Sequence, residues 1–323
     1  MKNVLVFGGA GYIGSHTVKE LMASGYTCVV ADNLVSGHKE AVLSPHFEQA
    51  DLLDKLSIEA IFKKHKIDAV MQFAAYTAVG ESVENPRKYY ENNFVGTLNL
   101  LDVMLKNNVK KFVFSSTCAT YGNPQYIPID EKHPQAPINP YGYSKLIVEH
   151  ALEDYQKAYG LEYIALRYFN AAGCSKDGEI GESKTPETNL IPLVLKAIKG
   201  DRKDIKVLGT DYDTKDGTCI RDYVHVEDLA LAHRLAIEKL GSFSGGINLG
   251  TGIGTSVKEV IAAAEKVSGK KCPVEFVGRR AGDPPILYAA NQKAKDILGW
   301  EPKYMDIENI IRTAWHWETN RRF

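Results

Sequence analysis

Cysteine is scarce and scattered in this sequence, which argues against a small disulfide-stapled or metal-bearing domain. The 323 residues contain five cysteines, an odd number, and no two of them form a Cys-x-x-Cys pair. They are Cys28, Cys118, Cys174, Cys219 and Cys272. This distribution disfavours a disulfide framework and a zinc site, and it is typical of reduced thiols in a cytosolic protein. We therefore expect no metal centre.

The sequence also lacks an excess of charge and any long hydrophobic run. Lysine and arginine total 39 against 40 aspartates and glutamates, so the formal net charge is -1. This balance offers no basic field to a nucleic acid and no polybasic segment to an anionic membrane. No stretch approaches the roughly 18 uninterrupted apolar residues of a spanning helix, and the apolar run at residues 4–7 is too short for a signal peptide. These absences predict a soluble, cytoplasmic protein whose partner is a small molecule, not a nucleic acid or a membrane.

Short apolar runs alternate with helical patterns through the first half of the chain. The strand-like runs are NVLVFGG, TCVVADN, DAVMQFAA, KKFVFSS and EYIALRYFN. Continuous apolar strands that are separated by amphipathic helices indicate a parallel sheet covered on both faces. The sequence therefore predicts an α/β protein with a doubly wound parallel sheet, a Rossmann fold.

The regular alternation stops after Asn170. The segment AAGCSKDGEIGESKTPET is rich in glycine and charge, and such a long irregular stretch in a compact chain is usually functional. We expect residues 1–172 to form a dinucleotide-binding domain and residues 173–323 to form a second, smaller α/β domain for the substrate. A helix and strand pattern at about residues 222–250 is expected to return to the first sheet.

A glycine-rich loop follows the first strand and opens the first helix. The stretch GGAGYIG contains the pattern Gly-x-Gly-x-x-Gly at Gly9, Gly11 and Gly14. Glycines permit the tight turn and the close approach of a pyrophosphate, and the helix N-terminus attracts its charge. Asp32 ends the next apolar run, where a carboxylate accepts from ribose hydroxyls and repels a 2'-phosphate, so NAD is expected rather than NADP. Asp51 is either an adenine contact or a solvated loop carboxylate.

The stretch NPYGYSK places Tyr141 and Lys145 four residues apart, hence on one face of a predicted helix. An ammonium about 6 Å away contributes roughly 2–3 kcal/mol towards ionising a tyrosine at an effective dielectric of about 20. Tyr141 is therefore a candidate general base for an alcohol or sugar hydroxyl. Thr117 lies at the carboxyl end of a predicted central strand, where ligands bind in such sheets. A threonine that only satisfies the backbone is the alternative there.

Longer motifs carry a resemblance to a known family. They are GGAGYIGSHT, DNL, AVGESV, YYENN, NPYGYSK, LRYFNAAG, DGTCIRDYVHVEDLA and RRAGDPP, spread over almost the entire length. In this order they resemble the extended short-chain dehydrogenase/reductases, and within them the epimerases that act at C4 of a UDP-sugar. The resemblance implies NAD as the cofactor and a UDP-sugar as the substrate.

The resemblance also implies site residues by position. The catalytic residues would be Thr117, Tyr141 and Lys145. The residues around NAD would be Gly8, Gly11, Tyr12, Ile13, Gly14, Asp32, Asn33, Asp51, Leu52, Phe73, Ala74, Ala75, Asn92, Ser115, Tyr141, Lys145 and Tyr168. The residues around the UDP-sugar would be Thr117, Tyr141, Asn170, Asn189, Leu190, Arg221, Arg280, Asp283 and Leu287.

The reaction implied by the resemblance is the interconversion of UDP-galactose and UDP-glucose through a transient 4-keto sugar. Tyr141 would take the proton of the 4-hydroxyl while C4 gives hydride to NAD. The keto sugar would then present its other face and take the hydride back. Because the net redox change is zero, NAD need not be replenished.

Two positions depart from the family pattern. Thr77 stands where many members carry a lysine near the cofactor. Leu287 stands where some members carry a tyrosine that lines the sugar pocket, so a leucine leaves room for a 2-acetamido group. UDP-GalNAc and UDP-GlcNAc are therefore open as a second pair of substrates, unless the adjacent Tyr288 fills the same space.

Other functions remain as alternatives. Cys118 and Ala119 follow Thr117, and neither can transfer the protons that a sugar-nucleotide 4,6-dehydratase needs there. A UDP-glucuronate decarboxylase or 4-epimerase and a UDP-pentose 4-epimerase stay open. An NAD-sensing binding protein is the non-enzyme alternative, although such proteins tend to lose the tyrosine or the lysine. The resemblance also implies a homodimer through the helices that begin near Pro86 and Tyr141.

Overall fold

The structure is a computed structural model, and it describes residues 2–280 and 284–323. The strands are β1 (Asn3–Phe7), β2 (Thr27–Asp32), β3 (His46–Gln49), β4 (Ala69–Gln72), β5 (Lys111–Thr117), β6 (Glu162–Tyr168), β7 (Asn170–Ala172), β8 (Ile205–Leu208), β9 (Ile220–Arg221), β10 (Tyr223–His225), β11 (Gly245–Leu249), β12 (Thr255–Ser256), β13 (Val274–Val277) and β14 (Ile286–Leu287). The helices are α1 (Tyr12–Ala23), α2 (Lys55–Lys64), α3 (Val79–Glu84), α4 (Pro86–Tyr89), α5 (Gly96–Lys106), α6 (Pro140–Tyr159), α7 (Leu190–Lys199), α8 (Val226–Lys239), α9 (Val257–Ser268), α10 (Gln292–Leu298) and α11 (Ile307–Thr319).

Within the described residues, seven parallel strands form the central sheet, in the order β3, β2, β1, β4, β5, β6 and β11. Side chains of β1 alternate between its two faces, because successive residues of a strand point to opposite sides. Val4 and Val6 join a core cluster with residues of α1 and α8, whereas Leu5 and Phe7 join a cluster with residues of α2, α5 and α6. Helices therefore cover both faces, and the predicted doubly wound α/β fold is confirmed.

The last strand of this sheet comes from late in the chain. β11 pairs in parallel with β6, with Gly245 opposite Ile164. Residues from both sides of β11 along the chain build a third core cluster, which joins α7 to α9 and α11. Small sheets accompany it, formed by β7 with β10, by β8 with β13, and by β12, β9 and β14.

The sheet has a crevice where its strand order reverses. From β1 the chain builds outward to β2 and β3, and it then returns to place β4 on the other side of β1. Ligands of open α/β sheets bind outside the carboxyl ends of the strands at such a point. Here the backbone N–H of Phe73, after β4, donates at 2.7 Å to the carbonyl of Phe7, at the end of β1.

The helix α6 begins where the sequence predicts. The side chain of Asn139 accepts from the backbone N–H of Gly142 at 2.9 Å, and Pro140 occupies the first helical position, where its missing N–H costs nothing. The expected long helix from Pro86 contains a π-helical segment, Tyr90–Val95, between α4 and α5. No helix in the described part of the chain is both long and apolar enough to cross a bilayer.

Candidate active site

The glycine loop leaves space for a phosphate at the start of α1. Gly8 has φ +85°, and a Cβ added there would lie 2.4 Å from the backbone nitrogen of Ala74. A Cβ on Gly14 would lie 2.2 Å from the carbonyl oxygen of Gly8, so both positions require glycine. No side chain caps the N-terminus of α1 and no acidic residue stands in its first turn. Its N–H groups and positive dipole end therefore suit the diphosphate of a dinucleotide.

Three carboxylate and amide side chains lie at the ends of β2 and β3. Asp32 is buried and accepts from the backbone N–H groups of Ala10, at 3.0 Å, and Leu34, at 2.8 Å. Burial raises the pKa of Asp32, while these two hydrogen bonds act in the opposite direction. The amide of Asn33 donates to Asp51 at 2.8 Å. The residues predicted for the adenosine half are thus brought together beside the glycine loop.

The loop after β4 carries Phe73, Ala74 and Ala75, the next predicted cofactor residues. The ring of Phe73 lies 4.7 Å from the ring of His233 on α8. Asn92, in the π-helical segment, donates to its neighbour Asn93 at 2.9 Å. Sequence reasoning did not single out Asn93, which is buried and bonds to both backbone groups of Tyr76. The sequence alone does not reveal this role of Asn93, because the direction of its side chain depends on the π-helical turn.

The predicted catalytic residues converge at the carboxyl end of β5. Tyr141 is buried on α6 and Thr117 is buried at the last residue of β5, and a hydrogen bond joins their side chains. Thr117 Oγ1 also accepts from the backbone N–H of Ala119 at 3.1 Å. The Nζ of Lys145 donates to the carbonyl oxygen of Ser115 at 2.8 Å. Ser115 Oγ in turn bonds to the hydroxyl of Tyr168.

Burial governs the protonation of this centre. It lowers the pKa of Lys145 to about 7, against which the nearby Glu149 carboxylate acts. Burial also raises the pKa of Tyr141, and the hydrogen bond from Thr117 offsets only part of that rise. For the protein atoms alone the pKa of Tyr141 therefore lies above its ordinary value, and the charges of Lys145 and of an oxidised nicotinamide are the ones expected to oppose this rise. A buried lysine with a depressed pKa carries less positive charge near neutral pH than an exposed one.

A buried ion pair lies behind these residues and was not singled out from the sequence. Glu149, one helical turn after Lys145, accepts from Nε of Arg167 with both oxygens at 3.0 Å, and Ser116 Oγ also donates to it. Arg167 further donates to the hydroxyl of Tyr121 at 2.9 Å. The spacing of Glu149 on the helix face of Tyr141 and Lys145 is the signal that could have found it. This network ties α6 to the ends of β5 and β6.

The predicted substrate residues lie on several short elements. The amide of Asn170 donates to the carbonyl of Asp222 at 3.0 Å, and Nη1 of Arg221 donates to the carbonyl of Pro284 at 2.8 Å. Asn189 precedes α7, which begins at Leu190, and its amide donates to Glu182. Arg280 is exposed, and Asp283 lies outside the described residues.

Leu287 and Tyr288 face different surroundings. Leu287 packs against the buried cluster of Tyr121, Ile129, Phe169 and Ala289, which also contacts Cys118 beside Thr117. The ring of Tyr288 lies next to Gly254, where an added Cβ would approach it to 3.2 Å. Adjacent strand residues point to opposite faces. Tyr288 therefore does not occupy the space beside Leu287.

Residues 173–188, here called the strap, cross the mouth of the crevice. The hydroxyl of Tyr12 donates to the carbonyl of Gly173 at 2.6 Å, and Nε2 of His38 lies 3.1 Å from the carbonyl oxygen of Ser183. Lys184 Nζ lies 3.4 Å from Oγ1 of Thr77, in the loop after β4. The strap therefore contacts the loops that follow β1, β2 and β4. No local sequence pattern marks Lys184, because its partner is 107 residues away.

This combination of fold and site defines a class of protein. A doubly wound sheet carries at one edge a glycine loop, a buried aspartate and a Tyr-x-x-x-Lys helix, as extended short-chain dehydrogenase/reductases do. A model of the NAD dependent epimerase/dehydratase family matches residues 4–250, and the chain belongs to this family. The resemblance found in the sequence is thereby confirmed.

Full-length relatives make the comparison more specific. A UDP-glucose 4-epimerase of Rhizobium leguminosarum bv. trifolii is 53% identical over 98% of this chain and 97% of its own. The crystal structure of UDP-glucose 4-epimerase from Brucella ovis in complex with NAD has 51% identity and a TM-score of 0.95, covering 98% of this chain and 99% of that one. The UDP-Glc/GlcNAc 4-epimerase of Campylobacter jejuni has 44% identity and a TM-score of 0.87, covering 99% of this chain and 100% of that one.

Proposed function

We propose that this protein is an NAD-dependent isomerase that interconverts UDP-galactose and UDP-glucose at C4 of the sugar. The observation that carries the proposal is the convergence of Thr117, Tyr141 and Lys145 at the end of β5, beside the crevice between β1 and β4. The names of the relatives support the same reaction. Cys118 and Ala119 follow Thr117, so the proton donors of a dehydratase are missing from these positions.

The cofactor proposal rests on the chemistry of the crevice. Gly8, Gly11 and Gly14 with the start of α1 would hold the diphosphate, and Asp32 would accept from the adenosine ribose. Asn33 and Asp51 would flank the adenine, while Phe73, Asn92 and Tyr168 would line the rest. When bound, NAD supplies a hydride acceptor that becomes the hydride donor of the return step. Lys145 would hold the nicotinamide ribose.

The proton chemistry belongs to side chains of the protein. Tyr141 accepts the proton of the sugar 4-hydroxyl and, after the keto sugar has turned, returns a proton to the same 4-oxygen at the end of the cycle. Thr117 donates a hydrogen bond that stabilises the phenolate and orients the same oxygen. In its charged form Lys145 would stabilise that phenolate, and its bond to the carbonyl of Ser115 holds Nζ near the carboxyl end of β5. Burial of both residues excludes water, which strengthens these interactions.

The substrate would be held by its nucleotide. Arg221 and Arg280 suit a diphosphate, because guanidinium groups form forked hydrogen bonds with phosphate oxygens. Asn189 and the first turn of α7 at Leu190 would add donors, and Asn170 would lie near the sugar. Contacts concentrated on UDP leave the sugar free to turn between the two hydride steps. The proposal thus places the cofactor mainly on residues 1–172 and the contacts to UDP mainly on residues 173–323.

The proposal extends to 2-acetamido sugars because of Leu287. Its side chain is smaller than a tyrosine, and Tyr288 is turned towards Gly254 instead. The similarity to the UDP-Glc/GlcNAc 4-epimerase of Campylobacter jejuni agrees with this extension. UDP-GalNAc and UDP-GlcNAc are therefore proposed as a second pair of substrates.

We also propose a homodimer located in the cytoplasm. Exposed apolar side chains lie on the predicted dimer helices: Tyr90, Val95, Tyr143 and Ile147. Apolar side chains grouped in this way are typical of a surface that another protein chain covers. The free cysteines support the cytoplasm as the location.

The direct test is to incubate the purified protein, with no added cofactor, separately with UDP-galactose and UDP-GalNAc. The anomeric proton signals are followed by NMR. Conversion of UDP-galactose to UDP-glucose is expected, and conversion of UDP-GalNAc supports the wider pocket. Turnover of neither, even with NAD supplied, would contradict the proposal and lead to UDP-glucuronate and UDP-pentoses, and then to a binding protein.

A further inference from the structure

Lys184 lies at a point of the strap that touches the cofactor crevice. Its Nζ is 3.4 Å from the hydroxyl of Thr77 and 3.2 Å from the hydroxyl of Thr188. Thr77 belongs to the loop after β4, in which the backbone nitrogen of Ala74 faces Gly8 of the glycine loop. The side chain of Lys184 therefore reaches from the strap to the wall of the proposed cofactor site.

Lys184 forms no direct ion pair with the described residues, although the carboxyls of Glu81 and Glu182 are near enough to feel its charge. Among residues 2–280 and 284–323, no carboxylate lies within ion-pair distance of its Nζ, and its two bonding partners are neutral hydroxyls. Hydroxyls can accept from an ammonium, but they cannot neutralise it. The half-buried ammonium of Lys184 is therefore available to bind an anionic ligand.

The acidic residues around Lys184 are already bonded elsewhere. Glu81 pairs with Lys88 at 2.6 Å and accepts from the hydroxyl of Tyr89 at 2.8 Å. Glu187 accepts through Oε1 from the backbone N–H groups of Thr188 and Asn189, each at 2.8 Å, while its buried Oε2 has no hydrogen-bond partner among the described residues. Glu182 accepts from the side chain of Asn189, and burial, together with the nearby carboxylate of Glu187, raises the pKa of its carboxyl and so disfavours a negative charge there.

The strap is anchored on both sides of Lys184. His38, in the loop after β2, lies 3.1 Å from the carbonyl oxygen of Ser183, and Tyr12 at the start of α1 holds Gly173. These contacts hold the strap across the loops that the dinucleotide must also touch. In the proposed function the diphosphate of NAD lies among these loops, whereas the diphosphate of UDP lies with Arg221, Arg280 and the start of α7.

We propose that Lys184 is a cofactor-binding residue, which brings a positive charge from the strap to the diphosphate of NAD and so holds the strap closed over it. Thr77 positions the ammonium through its hydroxyl. The cofactor is then held from two sides, by backbone N–H groups of α1 below and by an ammonium above. This inference rests on the proposed function for the identity of the cofactor.

The test measures cofactor retention and not turnover. Wild type, Lys184→Ala, Lys184→Gln and the double variant Thr77→Lys with Lys184→Ala are purified, and their bound NAD is extracted and quantified. The release rate is then followed by exchange against an excess of 1,N6-etheno-NAD, whose fluorescence reports its uptake. Lys176→Ala is the matched control, because Lys176 is an exposed lysine of the same strap.

If Lys184 forms a charge-assisted hydrogen bond with a phosphate of NAD, then NAD should leave Lys184→Ala and Lys184→Gln at least about tenfold faster than it leaves wild type. Lys176→Ala should behave as wild type. The double variant should retain NAD almost as well as wild type, because a lysine at position 77 brings an ammonium close to the place where that of Lys184 was. Added salt should speed release from wild type more than from Lys184→Ala, since one ion contact is missing in the variant.

Two results would overturn the inference. The first is release of NAD from Lys184→Ala at the wild-type rate. The second is faster release from Lys184→Ala that the added Thr77→Lys substitution does not reverse, because the effect would then come from a changed strap conformation and not from the lost charge. If wild type itself holds no NAD and takes none up, the proposed function fails instead. The two failures are thus distinguishable.

Discussion

The Nζ of Lys145 donates a 2.8 Å hydrogen bond to the carbonyl oxygen of Ser115, which is buried on β5 two residues before Thr117. A single backbone carbonyl does not replace the water that an ammonium loses on burial. The depressed pKa of Lys145 is the result. Its consequences for stability can be measured without any substrate.

We expect the free energy of unfolding of the nucleotide-free protein to rise with pH, because Lys145 loses its proton more easily in the folded state than in the unfolded state. Its pKa falls from 10.5 in the unfolded chain to about 7 in the folded protein, so between these values the unfolded state binds more protons. Stability then increases with pH across that window, by on the order of 3 kcal/mol from about pH 7 to about pH 9.5. Urea unfolding of wild type and Lys145→Met at several pH values measures the difference. Lys157→Met, at an exposed lysine of the same helix, should keep the wild-type slope.

Tyr141→Phe should abolish most of the epimerase activity while leaving NAD bound. The phenolic oxygen is the proposed base, and loss of a general base typically lowers the rate by about 10²- to 10⁴-fold. The NMR assay gives the rate, and acid extraction gives the NAD content. Tyr143→Phe changes an exposed tyrosine two positions along the helix, and it should retain activity. Comparable loss in both variants would contradict the role of Tyr141.

Gly14→Ala should weaken both folding and cofactor binding. The new Cβ would stand 2.2 Å from the carbonyl oxygen of Gly8, so the loop must shift, at a cost of about 1–3 kcal/mol. Thermal unfolding and NAD content measure the two effects. Gly80→Ala is the control, because a Cβ on Gly80 meets nothing within 4 Å and alanine favours its helix. A Gly14→Ala protein with wild-type stability and NAD content would argue against the close contact.

Leu287→Tyr should separate the two proposed pairs of substrates. A tyrosine would fill more of the space next to the cluster that Leu287 and Cys118 both contact, and it should lower turnover of UDP-GalNAc about 10- to 100-fold, the effect of a steric cost of about 1–3 kcal/mol. Turnover of UDP-galactose should change little. Tyr288→Phe is the control, since its ring lies next to Gly254 and should not affect the ratio. An unchanged ratio in Leu287→Tyr would remove the basis for the wide pocket.

Ile147→Asp should dissociate the proposed dimer. Ile147 is 40% exposed on α6, and a carboxylate at the centre of an apolar interface is expected to raise the dissociation constant at least about tenfold. Sedimentation velocity over a range of concentrations measures this change. Gln156→Asp, at an exposed position near the other end of the helix, should sediment as wild type. If wild type sediments as a monomer, the dimer proposal is wrong.

The parts of the site that follow a single strand or helix could be predicted from the sequence. Gly8 follows β1 directly, Gly14 lies in the first turn of α1 and Asp32 ends β2. Tyr141 and Lys145 keep helical spacing on α6. These patterns are local, so periodicity and turn chemistry are enough to find them. The family resemblance placed the remaining residues by position and not by physical reasoning.

The parts that depend on contacts across the chain could not be predicted. Lys184 meets Thr77 across 107 residues, and the strap between α7 and the sheet has no periodicity to fix its path. The opposite settings of Leu287 and Tyr288 follow from strand pairing in a sheet whose strands have only two residues each. The raised pKa of Tyr141 depends on how deeply the fold buries it, which spacing on a helix does not reveal.

The position of β11 at the edge of the central sheet affects folding during synthesis and the choice of fragments that can fold on their own. During synthesis, β6 has no partner on its outer side until Gly245–Leu249 have emerged, after the whole strap. An unpaired strand edge is a template for pairing with other chains. A fragment that ended at residue 172 would keep every residue of the dinucleotide loop, yet it would expose this edge permanently and aggregate. The shortest independently folding unit therefore extends at least through Leu249.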